Sequence, residues 1–125
     1  MDMDEHRFNE ITEKIIRCVY AVANTLGNGF LEKVYENALA HELRKSGFFV
    51  EQQKEIKVRY DGIVVSGYTV DLLVQNEILV ELKAVKALDN IHVAQCLNYL
   101  KATQFKVCLL LKFGTPRVQI RRLVH

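Results

Sequence analysis

The sequence predicts an α/β protein, because it combines helical and strand-like spacing of apolar residues along one short chain. In about the first 45 residues, apolar side chains recur every three or four positions, which is typical of amphipathic helices. From about residue 48 to 85, apolar and polar side chains alternate, which is typical of half-buried strands. The predicted order of elements is α-α-β-β-β-α-β-β, with helices before and after a mixed sheet.

Two helices are predicted in the N-terminal third of the chain. The first runs from about residue 5 to 25 and ends at Gly27-Asn28-Gly29, where the backbone readily adopts left-handed angles. The second begins at Gly29 or Phe30 and runs to about Lys45. Glu32 falls in its first turn, where the helix dipole favours a negative charge.

A third helix is predicted from about Asp89 to Thr103, with Asp89 as its N-cap. Its spacing assigns four apolar residues to the side that faces the core: Ile91, Ala94, Leu97 and Leu100. The opposite side carries a polar stripe: His92, Gln95 and Tyr99. Such a stripe is most often a solvated face, but it would line a functional site if one lay against it.

Three strands joined by short turns are predicted between the second and third helices, as an antiparallel meander. The first ends at a turn on Asp61-Gly62, and the second bends or bulges at Ser66-Gly67. A tight turn at Asn76-Glu77 leads into the third strand, ILVELKAV. After the third helix, FKVCLLLKF predicts a strand buried on both faces, and VQIRRLV predicts a more exposed last strand.

Composition excludes several classes of protein. The net charge of +2 permits nucleic-acid binding without requiring it. Cys18, Cys96 and Cys108 are scattered and form no CxxC pair, which argues against a disulfide framework or a structural zinc site. The N-terminus does not resemble a signal peptide, and no apolar run approaches the roughly 18–20 residues that span a bilayer. We therefore expect a cytoplasmic protein without a membrane partner, folded as one domain over residues 1–125.

Three charged residues interrupt the second and third strands, whose apolar neighbours predict burial: Asp71, Glu81 and Lys83. Alternation places Glu81 and Lys83 on one face, and the turn at Asn76-Glu77 brings Asp71 opposite residue 82, next to Glu81. Two carboxylates this close repel each other unless a cation lies between them, and Mg²⁺ prefers such oxygen ligands. A lysine beside a metal-bound water suits phosphodiester hydrolysis.

The same residues also have a plain structural interpretation. Glu81 and Lys83 could form a surface salt bridge while Asp71 caps a turn, and the residues alone leave the two interpretations nearly balanced. Glu32 and Tyr35 share one helix face, but Glu32 by itself is explained by the helix dipole. Gln95 would bind a water or a phosphate only if its helix turns that stripe toward the charged cluster.

Several spaced motifs resemble one protein family. Gly29-Phe-Leu-Glu32-Lys-Val-Tyr35 resembles the pattern that names the GxxExxY proteins, and four later blocks resemble the same family in the same order: GYTVDLLV, VELKAV, HVAQCLNYLKAT and KFG. The resemblance covers about residues 10–124. That family is similar to the PD-(D/E)xK nuclease superfamily, which implies a restriction-endonuclease-like core, α-β-β-β-α-β, with an extra N-terminal helix and a C-terminal strand. One departure is Val70, where the motif has proline.

The resemblance implies roles for individual residues. It implies four catalytic residues: Asp71, Glu81, Lys83 and Gln95. It implies metal ligation of Mg²⁺, or alternatively Mn²⁺, by Glu32, Asp71, Glu81 and the main-chain carbonyl of Leu82. Gln95 and Tyr99 match the QxxxY arrangement of RecB-like members, and the expected substrate contacts are Tyr35, Lys86, His92 and Tyr99.

The expected function is therefore Mg²⁺-dependent hydrolysis of phosphodiester bonds in DNA, in repair, recombination or defence. The expected partner is nucleic acid, and a chain this small is expected to form a homodimer that grips a duplex. The alternative is a catalytically silent module of the same fold that binds nucleic acid or protein.

Overall fold

The computed structural model describes residues 3–125 as three helices and one five-stranded mixed sheet. The helices are α1 (Met3–Leu26), α2 (Glu32–Lys45) and α3 (Asn90–Ala102). The strands are β1 (Val50–Tyr60), β2 (Ile63–Val74), β3 (Ile78–Lys83), β4 (Val107–Lys112) and β5 (Gln119–Val124). This is the predicted order of elements, and it confirms the α/β class and the restriction-endonuclease-like architecture.

The sheet has the strand order β1-β2-β3-β4-β5. β1, β2 and β3 form the predicted antiparallel meander, and β5 is antiparallel to β4. β3 and β4 are parallel, because α3 carries the chain back to the starting end of the sheet between them. β3 and β4 therefore run in the same direction, and the predicted site residues Glu81 and Lys83 lie at the end of β3.

Helices cover both faces of the sheet. α1 and α2 pack on the face that includes Leu72, Val80 and Leu109, and α3 packs on the face that includes Leu73 and Leu79. β4 contributes alternate residues to the two clusters, which confirms that it is buried on both sides. No helix in the described range 3–125 is long and apolar enough to cross a membrane.

The β1–β2 hairpin differs from the prediction in the position of its bulge. The turn forms at Asp61-Gly62, as predicted, and both residues have positive φ angles. The pairs Val58–Ser66 and Arg59–Val64 leave Val65 as the extra residue of β2, one position before the predicted bulge at Ser66-Gly67.

α2 begins at Glu32, two or three residues later than predicted. Gly29 has a φ of +107°, and Leu31 is extended, so neither residue can belong to the helix. The N–H of Phe30 donates to the hydroxyl of Tyr35 at 3.2 Å, which holds the entering chain against the first turn. Glu32 is thereby the first residue of the helix.

α3 is rotated relative to the predicted orientation. Three residues expected in the core are exposed instead: Ile91, Ala94 and Leu97. Leu100 is buried as predicted, together with Cys96 and Tyr99. Apolar residues surround most of this helix, so spacing alone did not select one face. The buried face of α3 includes Tyr99, whose ring packs on that of Tyr68 with centroids 5.2 Å apart.

The loops that leave β3 and β4 touch at Val85 and Gly114. The Phe113 N–H donates to the Lys83 carbonyl at 2.9 Å, so the parallel pairing continues beyond both strands. A Cβ atom on Gly114 would overlap the backbone of Val85. Only glycine permits this approach, which fixes the chain directly after Lys83.

We predict that Gly114→Ala lowers the free energy of unfolding by about 2 kcal/mol or more, because the loops must separate to admit a methyl group. Denaturant unfolding of the purified variant measures this change. The matched control is Gly67→Ala in β2, where the nearest atom to the new Cβ is the Ile56 carbonyl oxygen at 3.6 Å, an ordinary contact. Equal unfolding free energies for the two variants would contradict the close approach.

Candidate functional site

The regular pairing of β2 with β3 ends just before Asp71 and Glu81. The last backbone pair is Leu72–Val80, and continuing this register places Asp71 opposite Glu81. The N–H of Asp71 donates to Glu81 Oε1 at 2.9 Å, and the N–H of Leu82 donates to Asp71 Oδ2 at 2.8 Å. Each carboxylate thus takes the place of a main-chain acceptor of its own strand, and the two lie together in the gap between the strands.

The register differs by one residue from the predicted pairing of Asp71 with residue 82. Gln75 and Asn76 both have positive φ angles, and the turn between Val74 and Ile78 contains three residues. The longer turn shifts the pairing and sets the two carboxylates directly opposite each other.

Glu81 is a buried carboxyl group, with 3% of the residue exposed. The pKa of Glu81 is raised to about 8, first by burial and then by the negative charges of Asp71 and Glu32. The hydrogen bond from the Asp71 N–H and the charge of Lys83 lower the pKa of Glu81, but they do not offset burial. The site therefore disfavours a second negative charge beside Asp71, and Lys83 offsets only part of this cost.

Lys83 lies on the same side of β3 as Glu81, as alternation predicts. Its Nζ is 3.7 Å from Glu81 Oε2, and the side chain is 22% exposed. Because Glu81 is buried, this pair is not the exposed surface salt bridge of the plain interpretation. Asp71 does not cap a turn either, since its carboxylate accepts from the main chain of the neighbouring strand.

Two residues that the sequence interpretation missed extend the network behind Asp71. Gln53 Nε2 donates to Asp71 Oδ1 at 3.1 Å and to Glu36 Oε1 at 2.7 Å. Glu36 is 3% exposed and also accepts from Gln52 Nε2 at 2.7 Å and from Lys33 Nζ at 3.0 Å. Gln53 reads as an ordinary polar residue of a strand, so no pattern in the sequence indicated this network.

Glu32 lies at the rim of the site. Its Oε1 accepts from the Ala84 N–H at 3.1 Å, which holds the carboxylate at the chain just beyond Lys83. Within residues 3–125, no three His, Cys, Asp or Glu side chains are grouped so that they could hold a metal. The role of Glu32 as a third ligand beside Asp71 and Glu81 stays a prediction, since one oxygen of each of the three carboxylates accepts from a main-chain N–H.

α3 presents its predicted residues in different ways. Gln95 is exposed, and in the described chain its amide makes no hydrogen bond. Tyr99 is buried, and its hydroxyl donates to the Thr69 carbonyl at 3.4 Å. Burial raises the pKa of Tyr99, as do the charges of Glu81 and Asp71. Tyr99 is thus a packing residue beneath the carboxylates, which corrects its expected role as a substrate contact.

The structure places the three remaining predicted substrate contacts in three different environments. Tyr35 is 1% exposed, donates from its hydroxyl to the Gly27 carbonyl at 2.8 Å, and stacks on Phe113. Its expected contact with substrate is wrong, because the side chain is enclosed by the core. His92 Nδ1 accepts from the Asp89 N–H at 3.1 Å and caps α3. Lys86 is exposed, so it can still reach a bound ligand.

Comparison with known proteins agrees with this geometry. A family model described as the PD-(D/E)XK nuclease superfamily matches residues 9–123. The chain belongs to the PD-(D/E)XK nuclease superfamily. Its D…E-x-K residues are Asp71, Glu81 and Lys83, which the structure brings together at the end of β3.

A solved structure shares the fold of this superfamily member. The crystal structure of SSO0001 aligns with a TM-score of 0.58 at 20% sequence identity, over 94% of this chain. The chain spans 59% of the length of SSO0001, so the likeness concerns the fold and not the whole of that protein. A search of curated proteins gives no match.

PD-(D/E)XK nucleases generally use divalent metal ions, and the donor atoms here fit such an ion. Asp71 and Glu81 supply two carboxylates in one gap, the arrangement that a cation compensates. The Leu82 N–H points into the same gap, and in a strand the carbonyl of a residue points to the same side as its N–H. These groups therefore supply three hard oxygen donors, which suit a hard divalent ion.

We predict that stability falls as pH rises in the metal-free protein. Between the ordinary glutamate value of 4.5 and the Glu81 pKa of about 8, the folded chain holds a proton that the unfolded chain has released. This stabilisation is complete below the lower value and lost as pH passes the upper one. We expect a decrease of up to about 1.4 kcal/mol per pH unit in this window.

Urea denaturation in the presence of a chelator, at several pH values across the window, measures this slope. Glu81→Gln removes the titrating group and should flatten the curve, whereas Glu42→Gln, on the exposed side of α2, should leave it unchanged. A Glu81→Gln variant with the slope of the unaltered protein would contradict the assignment.

Proposed function

We propose that this protein is a Mg²⁺-dependent nuclease that hydrolyses phosphodiester bonds of DNA, with Mn²⁺ as an alternative ion. The observation that carries the proposal is a pair of hydrogen bonds at the end of the β2–β3 pairing, in which the Glu81 carboxylate accepts from the Asp71 N–H and the Asp71 carboxylate accepts from the Leu82 N–H. It holds two carboxylates at a fixed spacing in a site that lacks compensating charge. Membership of a nuclease superfamily supports the same conclusion.

Each residue of the site would have its own role in the proposed hydrolysis. Asp71, Glu81 and the Leu82 carbonyl would hold the ion, which lowers the pKa of a bound water and polarises the phosphate. Lys83 would orient the attacking water and stabilise charge that develops on the phosphate, since its ammonium is partly exposed beside Glu81. Gln95 and Glu32 lie farther out, where they would contact water or substrate rather than the ion.

The side of the site that faces solvent carries cations suited to a nucleic-acid backbone. Lys86 follows β3, and the Lys112 ammonium donates to its carbonyl at 3.2 Å, so the two lysines lie close together. Other candidate cations lie on α3 and near β5: Lys101, Arg117, Arg121 and Arg122. Cationic side chains around a metal site favour binding of phosphates. DNA as the substrate, a homodimer, residues 1–125 as one domain, and a role in repair, recombination or defence are parts of this proposal.

A second candidate function is a catalytically silent module that binds nucleic acid or protein. The observation that favours it is that the described side chains supply two acidic ligands and no third. In such a module Glu81 would remain protonated near neutral pH, because its pKa is about 8 without a cation. The two functions differ in whether a divalent ion enters the site.

Cleavage of labelled DNA and RNA with Mg²⁺ or Mn²⁺ tests the proposal. We expect cleavage of DNA that falls by at least about a hundredfold in Asp71→Ala and in Lys83→Ala, because each removes a group that acts on the ion or the phosphate. Glu42→Gln is the matched control, since it removes a carboxylate far from the site. Activity that survives both site variants would contradict the assignment, and the absence of both metal binding and cleavage would favour the silent module.

A further inference from the structure

A strained residue lies inside β1, directly beside the proposed metal site. Gln53 has a φ of +52°, a left-handed backbone angle that residues other than glycine rarely adopt within a strand. Elsewhere in residues 3–125, the non-glycine residues with positive φ lie in hairpin turns: Asp61, Gln75 and Asn76. The strain at Gln53 therefore has no turn to explain it.

The strain coincides with an interruption of the β1–β2 pairing. Gln52 pairs with Leu72 and Lys54 pairs with Val70, so the missing pair between them is Gln53 with Asp71. On the side of β3, the Asp71 N–H already donates to Glu81 instead of a carbonyl. Asp71 thus loses regular pairing with both neighbouring strands at the same position, and side chains take over.

The amide of Gln53 joins two carboxylates. Its Nε2 carries two hydrogens, and the two acceptors are Asp71 Oδ1 at 3.1 Å and Glu36 Oε1 at 2.7 Å. Ionised carboxylates only accept, so the amide must turn its nitrogen to both of them. Glu36 is itself held in the interior by Gln52 and Lys33, which makes it a fixed anchor.

We infer that Gln53 is a positioning residue, which uses buried Glu36 as an anchor to hold the Asp71 carboxylate in its metal-binding orientation. The left-handed backbone directs the side chain of Gln53 into the gap beside Asp71 instead of along the regular alternation of β1. Asp71 Oδ2 is fixed by the Leu82 N–H and Oδ1 by Gln53, so both oxygens have a set direction. The metal-binding part of this inference rests on the proposed function.

The test uses a variant that removes the amide without straining the fold. Gln53→Gly suits the positive φ and deletes both hydrogen bonds, so we expect the unfolding midpoint to stay within a few degrees of the unaltered protein. Gln53→Asn also tolerates this φ, but its shorter side chain cannot span from Glu36 to Asp71. The matched control is Gln104→Ala, because Gln104 is an exposed glutamine in the loop between α3 and β4, apart from the contacts of Gln53 with Asp71 and Glu36.

The first measurement needs no metal. Hydrogen exchange of the Leu82 amide reports on Asp71 Oδ2, its acceptor. We expect about tenfold faster exchange at Leu82 in Gln53→Gly and Gln53→Asn, with Val80 unchanged, and no acceleration in Gln104→Ala. Unchanged exchange at Leu82 in a folded Gln53→Gly protein would overturn the inference.

The second measurement is the affinity for Mn²⁺ by calorimetry. We expect a loss of about tenfold to a hundredfold in Gln53→Gly and Gln53→Asn, and less than about twofold in Gln104→Ala. Affinity retained in Gln53→Gly would overturn the metal-binding part of the inference. If the unaltered protein binds no Mn²⁺, the proposed function fails, while the exchange measurement still decides whether Gln53 orients Asp71.

Discussion

The arrangement of the site depends on two hydrogen bonds, from the Asp71 N–H to the Glu81 carboxylate and from the Leu82 N–H to the Asp71 carboxylate. Where β2 and β3 diverge, main-chain N–H groups would lose their partners, and an unpaired buried N–H is costly. The two carboxylates accept from these N–H groups across the gap. The same contacts end the ladder without loss of hydrogen bonding and fix two oxygen-rich side chains side by side.

This solution has an electrostatic consequence. The carboxylates satisfy the backbone, but Glu81 is then buried close to a second carboxylate, and its pKa rises to about 8. Lys83 compensates only part of the charge, because its ammonium is 3.7 Å from Glu81 and partly exposed. A divalent ion is the group that would complete the balance, so the structural role of the carboxylates and their proposed catalytic role arise from one geometry.

The elements around the site act as supports for the two strands. α2 carries Glu32 and Glu36 on successive turns. Glu32 accepts from the main chain just after Lys83, and Glu36 accepts from the Gln53 amide. On the opposite side, Tyr99 of α3 packs against Tyr68, and its hydroxyl donates to the main chain of β2. The contact of Gly114 with Val85 fixes the loop that follows β3.

The sequence by itself determined the order of helices and strands, the meander, and the approach of Asp71 to Glu81 and Lys83, because these depend on local periodicity and short turns. Only the tertiary structure decided the register, the face of α3 and the place of Glu32. The three-residue turn between β2 and β3 shifts their register by one position. The buried face of α3 includes Tyr99, which packs on Tyr68, and the Glu32 carboxylate accepts from the Ala84 N–H. The hydrogen bond between Glu36 and Gln53 joins residues far apart in the chain and depends on a strained backbone angle, so local sequence patterns cannot predict it.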